Sequence, residues 1–353
     1  AAEIEAVGGS ISSDAGNNSF TVHVDVTQPD LKTGINLLAD VLLNATMPED
    51  AVERQKEIQI AGIQQEEEQL TVVARNLIRE AIFSNHPYAL RSSGAIDAVR
   101  RLTPAHLLEF RDRYVVARNG VMFVFGNVNA AEVRGLVEQA LASMPPGELA
   151  LQNAPQPALL DRVVTVESEK DKSQSVIMVG FTGADIYNPD RYALELIDEA
   201  SSDLGSRFFI RIREEMGLAY YVGASQMQGL AGGLFAFYLG TDPQKGAAVQ
   251  AALLEEIHKL AADGLSGEEL ARAKKKLIGQ QQIANQSNDS FGYQCALDEL
   301  YDLGFDNYAR LEHEVESITL DIIRTVSAKY FRDRHYVLAI VRPPKGTAVA
   351  KEE

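Results

Sequence analysis

Hydrophobic positions recur along this chain of 353 residues with two periods, and the switches between them predict a mixed order of helices and strands. Alternation over residues 4–13 and 19–26 predicts two strands joined through the turn-rich Asp14-Ala15-Gly16-Asn17-Asn18. Thr27-Gln28-Pro29-Asp30 then opens a helix to about residue 44, with proline suited to its first turn. Helical spacing resumes at Pro48-Glu49-Asp50, carries the acidic run Glu66-Glu67-Glu68 and continues to about residue 83. After a His86-Pro87-Tyr88 loop come a helix over 103–114, a buried strand over 120–125 and a helix over 130–143.

Four of the twelve prolines lie between Pro145 and Pro157, which predicts a linker over 145–160. Beyond it the pattern gives strands near 162–167 and 175–181 and a helix over 190–202. Phe208, Phe209 and Ile212 then sit among charged residues at amphipathic-helix spacing. That helix stops at Met216-Gly217, and 218–224 reads as a strand. Arg213 therefore falls in the last turn of a helix and Tyr220 early in a strand, on either side of one turn. A strand over 234–239, a helix from Thr241-Asp242-Pro243 to about 260, further helices to about 331 and a strand over 336–341 complete the order. Residues 229–233 have no following Lys-Ser or Lys-Thr of a phosphate loop and read as a hairpin turn.

The two halves repeat. Leu102-Thr103, Tyr114 and Val121-Met122-Phe123-Val124 align without a gap on Ile318-Thr319, Tyr330 and Val337-Leu338-Ala339-Ile340, an offset of 216 residues from Leu102 to Ile318. Thr27-Gln28-Pro29 likewise echoes Thr241-Asp242-Pro243. The expectation is an α+β chain of two homologous domains, 1–144 and 161–345, each a mostly antiparallel sheet flanked by helices. The copies are unequal in front, because the strands and helix within 162–202 have no counterpart before Ala1. The repeat thus predicts a first domain truncated at its N-terminus, with about 55 residues absent.

Composition narrows the class. Hydrophobic residues make up 46% and charged ones 24%, a globular balance. No apolar run approaches the roughly 18 residues of a membrane-spanning helix, and the first residues show no signal peptide. A net charge of -17, from 50 acidic against 33 basic residues, argues against nucleic acid and anionic membrane as partners. Cys295 stands alone, so neither an intrachain disulfide nor a multi-cysteine metal site can form. Bacterial periplasm, cytoplasm and mitochondrial matrix are all compatible.

Ser206-Arg207-Phe208-Phe209, Arg213-Glu214 and Gly217-Leu218-Ala219-Tyr220 together resemble the second-domain signature of the pitrilysin and insulinase family of zinc peptidases, which includes the mitochondrial processing peptidase. Ile4-Glu5-Ala6-Val7-Gly8-Gly9, Leu37-Leu38-Ala39-Asp40 and His86-Pro87-Tyr88 with Gly94 are similar to first-domain segments in the same order. The resemblance implies that Arg213 and Tyr220 bind substrate and stabilise the reacting carbonyl. A guanidinium and a phenol held near each other are chemically suited to gripping a peptide carbonyl or carboxylate.

Family members bind zinc through His-x-x-Glu-His on one helix and a glutamate from a later helix, leaving one position for water. No His-x-x-Glu-His occurs in this sequence, and counting without gaps from Val52-Glu53-Arg54 the later ligand position falls on Gly62, whereas a gap of a few residues would bring Gln64, Gln65 or Glu66 into register. Glycine offers no ligand. His106-Leu107-Leu108-Glu109-Phe110 is a decoy whose second histidine is replaced by phenylalanine, read here as ordinary helix; His23, His86, His258, His313 and His335 show no ligand spacing. The expectation is therefore a non-catalytic, peptide-binding subunit with no metal of its own. Zinc would lie on a homologous His-x-x-Glu-His-bearing subunit, or on the absent N-terminal segment of an active, homodimeric or self-sufficient enzyme. A scaffold subunit without peptidase role is the third expectation.

Overall fold

The computed structural model describes residues 2–148, 155–332 and 335–344. The expected linker's residues 149–154, and the second domain's last residue at 345, lie outside them. In chain order the first half contains α1 (Ala2–Glu5), β1 (Ser10–Ala15), β2 (Phe20–Asp25), α2 (Leu31–Asn44), α3 (Glu49–Glu67), α4 (Leu70–Ile82), α5 (Ile96–Arg101), α6 (Pro104–Tyr114) and α7 (Ala130–Ala140). The second half contains β3 (Val164–Glu169), β4 (Ser175–Gly183), α8 (Arg191–Ser202), β5 (Tyr221–Gln228), β6 (Gly233–Thr241), α9 (Gly246–Asp263) and α10 (Gly267–Ala284). After them come α11 (Asn288–Leu300), α12 (Leu311–Ser317), α13 (Leu320–Tyr330) and β7 (Val337–Arg342).

Two compact units form, and neither is continuous in sequence. One comprises Ala1–Ile63, Ser92–Gln152 and Gln282–Ala309; the other comprises Gln64–Arg91, Asn153–Gln281 and Arg310–Glu353. Each half of the chain thus gives one helical segment, α4 or α11, to the unit built mainly from the other half. The exchanged segments are themselves repeat equivalents, which a linear division at the proline-rich stretch does not anticipate.

The second unit is built on a five-stranded sheet in the order β3-β7-β4-β6-β5. Only β3 and β7 run parallel; the other neighbours are antiparallel. Strand period 2 sends alternate side chains to opposite faces, and both faces are covered here. Ile177, Val179, Phe181, Phe235, Phe237 and Leu239 face α8, α9 and α13 in one core. Val176, Met178, Leu234, Ala236, Val337 and Val341 face Ala74, Ile78 and Ile82 of α4 in the other. Burial on both sides explains why these strands read as continuous apolar runs. Glycine at 180 lets α4 approach β4 this closely, since a Cβ there would lie 2.2 Å from Ile78.

The first unit holds the antiparallel β1-β2 pair, with Ser10 opposite Asp25 and Ala15 opposite Phe20. α2 packs on β2 and α7, and α11 joins the same unit through the Ser19–Tyr301 hydroxyl pair at 2.8 Å and the edge-on Phe125–Phe291 contact. Two expectations are corrected. Residues 2–5 form a helical turn, and β1 starts only at Ser10, after Gly8 takes φ +69°. Residues 120–125 are not a buried strand: Val121, Met122 and Phe125 are exposed. Their counterpart β7 is hydrogen-bonded on both sides by β3 and β4, whereas 120–125 pair with no strand among the described residues.

The repeat survives in detail elsewhere. Thr103 and Thr319 both cap eleven-residue helices, α6 and α13, by accepting a backbone hydrogen bond on the side-chain oxygen from the third residue on. His106 completes the first cap, its Nδ1 accepting from the Thr103 backbone N–H at 3.2 Å. That reciprocal cap accounts for the decoy histidine without a metal.

Candidate functional site

The segment from Asp203 to Tyr221 links the end of α8 to the start of β5, which is an edge strand of the sheet. Phe208 and Ile212 are fully buried, and Phe208 stacks on Phe237 with centroids 5.0 Å apart. These anchors turn residues 210, 211 and 213 outward. Instead of the expected α-helix, Phe209–Glu215 is a π-helical turn, in which Met216 N–H bonds to the Arg211 carbonyl at 3.1 Å. Gly217 ends it at φ +60°, where glycine escapes the steric penalty of other residues.

The reversal that follows is tied at every step. Leu218 N–H bonds back to Ile212 O at 3.0 Å, and the Tyr220 N–H to Gly240 O at 2.8 Å. Thr241 Oγ1 donates to Leu218 O at 2.6 Å, and Lys245 Nζ donates to Gly217 O at 2.9 Å. Arg213 and Tyr220 therefore stand at the two ends of one braced turn, Tyr220 one residue before β5 rather than inside it.

Three arginines of this segment have different surroundings. Arg207 is clamped by Glu269, Nε to Oε1 at 2.8 Å, and by the Gly264 carbonyl. Burial, opposed chiefly by the hydrogen bond from Arg207, acts on Glu269, whose pKa is held below the usual carboxylate value. Arg211 pairs with Glu215 at 3.0 Å. Arg213 is exposed and lies over the Phe209 ring, 4.7 Å from its centroid, with no carboxylate or hydrogen-bond partner among the described residues. Tyr220 is 51% exposed, and its hydroxyl likewise has no partner among them. Five guanidinium donors and one phenolic donor are thus open to an incoming acceptor.

Behind β5, α8 carries groups that the sequence pattern did not single out. Ser202 Oγ bonds both the N–H and the C=O of Ala224, at 3.0 and 3.1 Å, satisfying the strand's outward backbone. Glu195 accepts from Gln228 Nε2 at 3.1 Å, and burial pushes its pKa up to about 7. Asp198, one turn on, is pushed up to about 6 by burial, partly offset by a hydrogen bond from Ser202. The i, i+3 spacing was visible in the sequence; only the packing of α8 on β5 shows that the pair is half-buried.

Residues 101–277 match a family model described as the peptidase M16 inactive domain, and residues 1–94 match the model described as insulinase, peptidase family M16. The chain belongs to the M16 insulinase family. Among M16 relatives, it is 25% identical to an uncharacterized zinc protease of Mycobacterium leprae over 349 residues, covering 96% of this chain and 77% of the relative. The M16 inactive domain from Pseudomonas fluorescens superposes with TM-score 0.86 at 22% identity, over 97% of this chain and 82% of that one. A chain of Complex III2 from Candida albicans does so with TM-score 0.81 at 16% identity, over 95% and 82%.

Among the described residues, the position to which the resemblance assigns the later zinc ligand is Gly62, which offers no side chain to a metal. Gly62 lies exposed on α3, and a Cβ built there would meet no atom within 4 Å, so packing does not demand glycine at this position. Among the described residues no group of three or more His, Cys, Asp or Glu is arranged to hold a metal ion.

Proposed function

We propose that this M16 chain is the non-catalytic, substrate-binding member of a zinc peptidase that cleaves peptides or unfolded polypeptides, the metal belonging to a homologous His-x-x-Glu-His-bearing chain. Arg213 and Tyr220 hold the peptide. The observation that carries this reading is the guanidinium of Arg213, exposed and without a carboxylate partner among the described residues, across a braced turn from a phenol that has no hydrogen-bond partner among them either. A charge left without a carboxylate partner binds a carbonyl or carboxylate more strongly than a neutral donor does. Both groups donate toward oxygen, so they suit a carbonyl as negative charge builds on it.

Support comes also from the match over 101–277 to the inactive-domain description and from Gly62 at the later ligand position. The test is reconstitution with a His-x-x-Glu-His-bearing homologue. Arg213→Ala or Tyr220→Phe is expected to lower peptide cleavage by about 100- to 1,000-fold, the cost of one oxyanion donor. Unchanged turnover in both variants would favour a scaffold role.

The Mycobacterium leprae relative, named a zinc protease, favours a second reading in which a longer form of this protein cleaves peptides by itself. Gly62 speaks against it. Stoichiometric zinc and unaided cleavage by the full-length protein would establish that second reading and overturn the first.

A further inference from the structure

We infer that Phe209 is a positioning residue for Arg213, an aromatic clamp that fixes the guanidinium without occupying its donors. The inference rests on the substrate-binding reading above. An arginine in this segment can be held in place by two means, and the structure contains both. Arg207 and Arg211 are held by carboxylates, Glu269 and Glu215. Such a clamp restrains the side chain but neutralises its charge and consumes its N–H groups. Arg213 is held by a ring instead. An aromatic face attracts the cation through its quadrupole and leaves the in-plane N–H edge open for a planar acceptor.

The ring is itself fixed. Phe209 is half-buried and packs against the core formed by Phe208, Ile212 and Phe237. Its backbone N–H is bonded to the buried Ser206 Oγ at 3.1 Å. The π-helical winding keeps positions 209 and 213 on one side of the turn, both ahead of the Gly217 reversal that leads to Tyr220. An exposed arginine without the clamp would lose more side-chain freedom on gripping a peptide, and affinity would fall accordingly.

The experiment measures binding of fluorescein-labelled, carboxymethylated casein by anisotropy, with a thermal melt of every variant. Phe209→Leu fills the space without a ring and is expected to weaken binding about two- to fivefold. Phe209→Tyr keeps the ring and is expected to bind as the parent does. In the Arg213→Ala background, Phe209→Leu is expected to add nothing. If the leucine variant melts early, Phe209→Met takes its place in the same comparison. Equal binding by parent and Phe209→Leu, where Arg213→Ala binds more weakly, overturns the clamp and leaves the substrate-binding reading standing. The same loss from Phe209→Leu in both backgrounds also overturns it, as a general packing effect. Parent-like binding by Arg213→Ala overturns both.

Discussion

Thr241, a side chain with no exposed surface, donates its hydroxyl proton to the Leu218 carbonyl at 2.6 Å. The bond joins the end of β6 to the turn between Arg213 and Tyr220, so it couples a core strand to the candidate site. Thr241→Val keeps the shape and strands a carbonyl. It is expected to lower stability by about 1–2 kcal/mol in denaturant titration and to weaken casein binding, with Thr241→Ser restoring both. Parent-like stability and binding in the valine variant would remove Thr241 from the account.

Gly62 supports a prediction of the opposite sign. It lies mid-helix and exposed, with open space where a side chain would go. Gly62→Ala is expected to stabilise by about 0.5–1 kcal/mol, the helix-propensity difference, read as a higher melting temperature. A fall would mean that glycine is required there.

Glu195 and Asp198 give the fold a pH dependence. Burial raises both pKa values, Glu195 to about 7 and Asp198 to about 6, so the folded state holds these protons more tightly than the unfolded chain does. Their contribution is fully present below the unfolded carboxylate range and is lost as pH rises through the folded values. Glu195→Gln cannot ionise and can still accept from Gln228. It is expected to match the parent near pH 4.5 and to exceed it at pH 8 by roughly 1–3 kcal/mol, measured as denaturant midpoints at the two values. Equal stability at pH 8 would show that Glu195 ionises there without cost.

Much of the second unit was readable in the sequence, because β4, β6 and β7 are apolar on both faces and α8 has a clear amphipathic period. The repeat placed Thr103 and Thr319 at equivalent caps. What local pattern could not show depends on partners distant in sequence. The 120–125 run is as apolar as β7 but lacks flanking strands among the described residues, so it forms no ladder. Nothing in the periodicity of α4 says which sheet its apolar face covers. At the candidate site, Arg213 and Tyr220 were singled out by a spacing that resembles a known signature. The ring beneath Arg213 was visible only as a phenylalanine four residues earlier, and the hydroxyl and ammonium bracing the turn, from Thr241 and Lys245, are more than twenty residues away in sequence.

The central claim, a peptide grip that carries no metal of its own, is tested most directly by the affinity for labelled, carboxymethylated casein in the presence of EDTA. The parent chain is expected to bind equally well with and without the chelator, and Arg213→Ala to bind at least about tenfold more weakly, the scale of one lost charged hydrogen bond. Binding that EDTA abolishes, or that Arg213→Ala leaves unchanged, would contradict it.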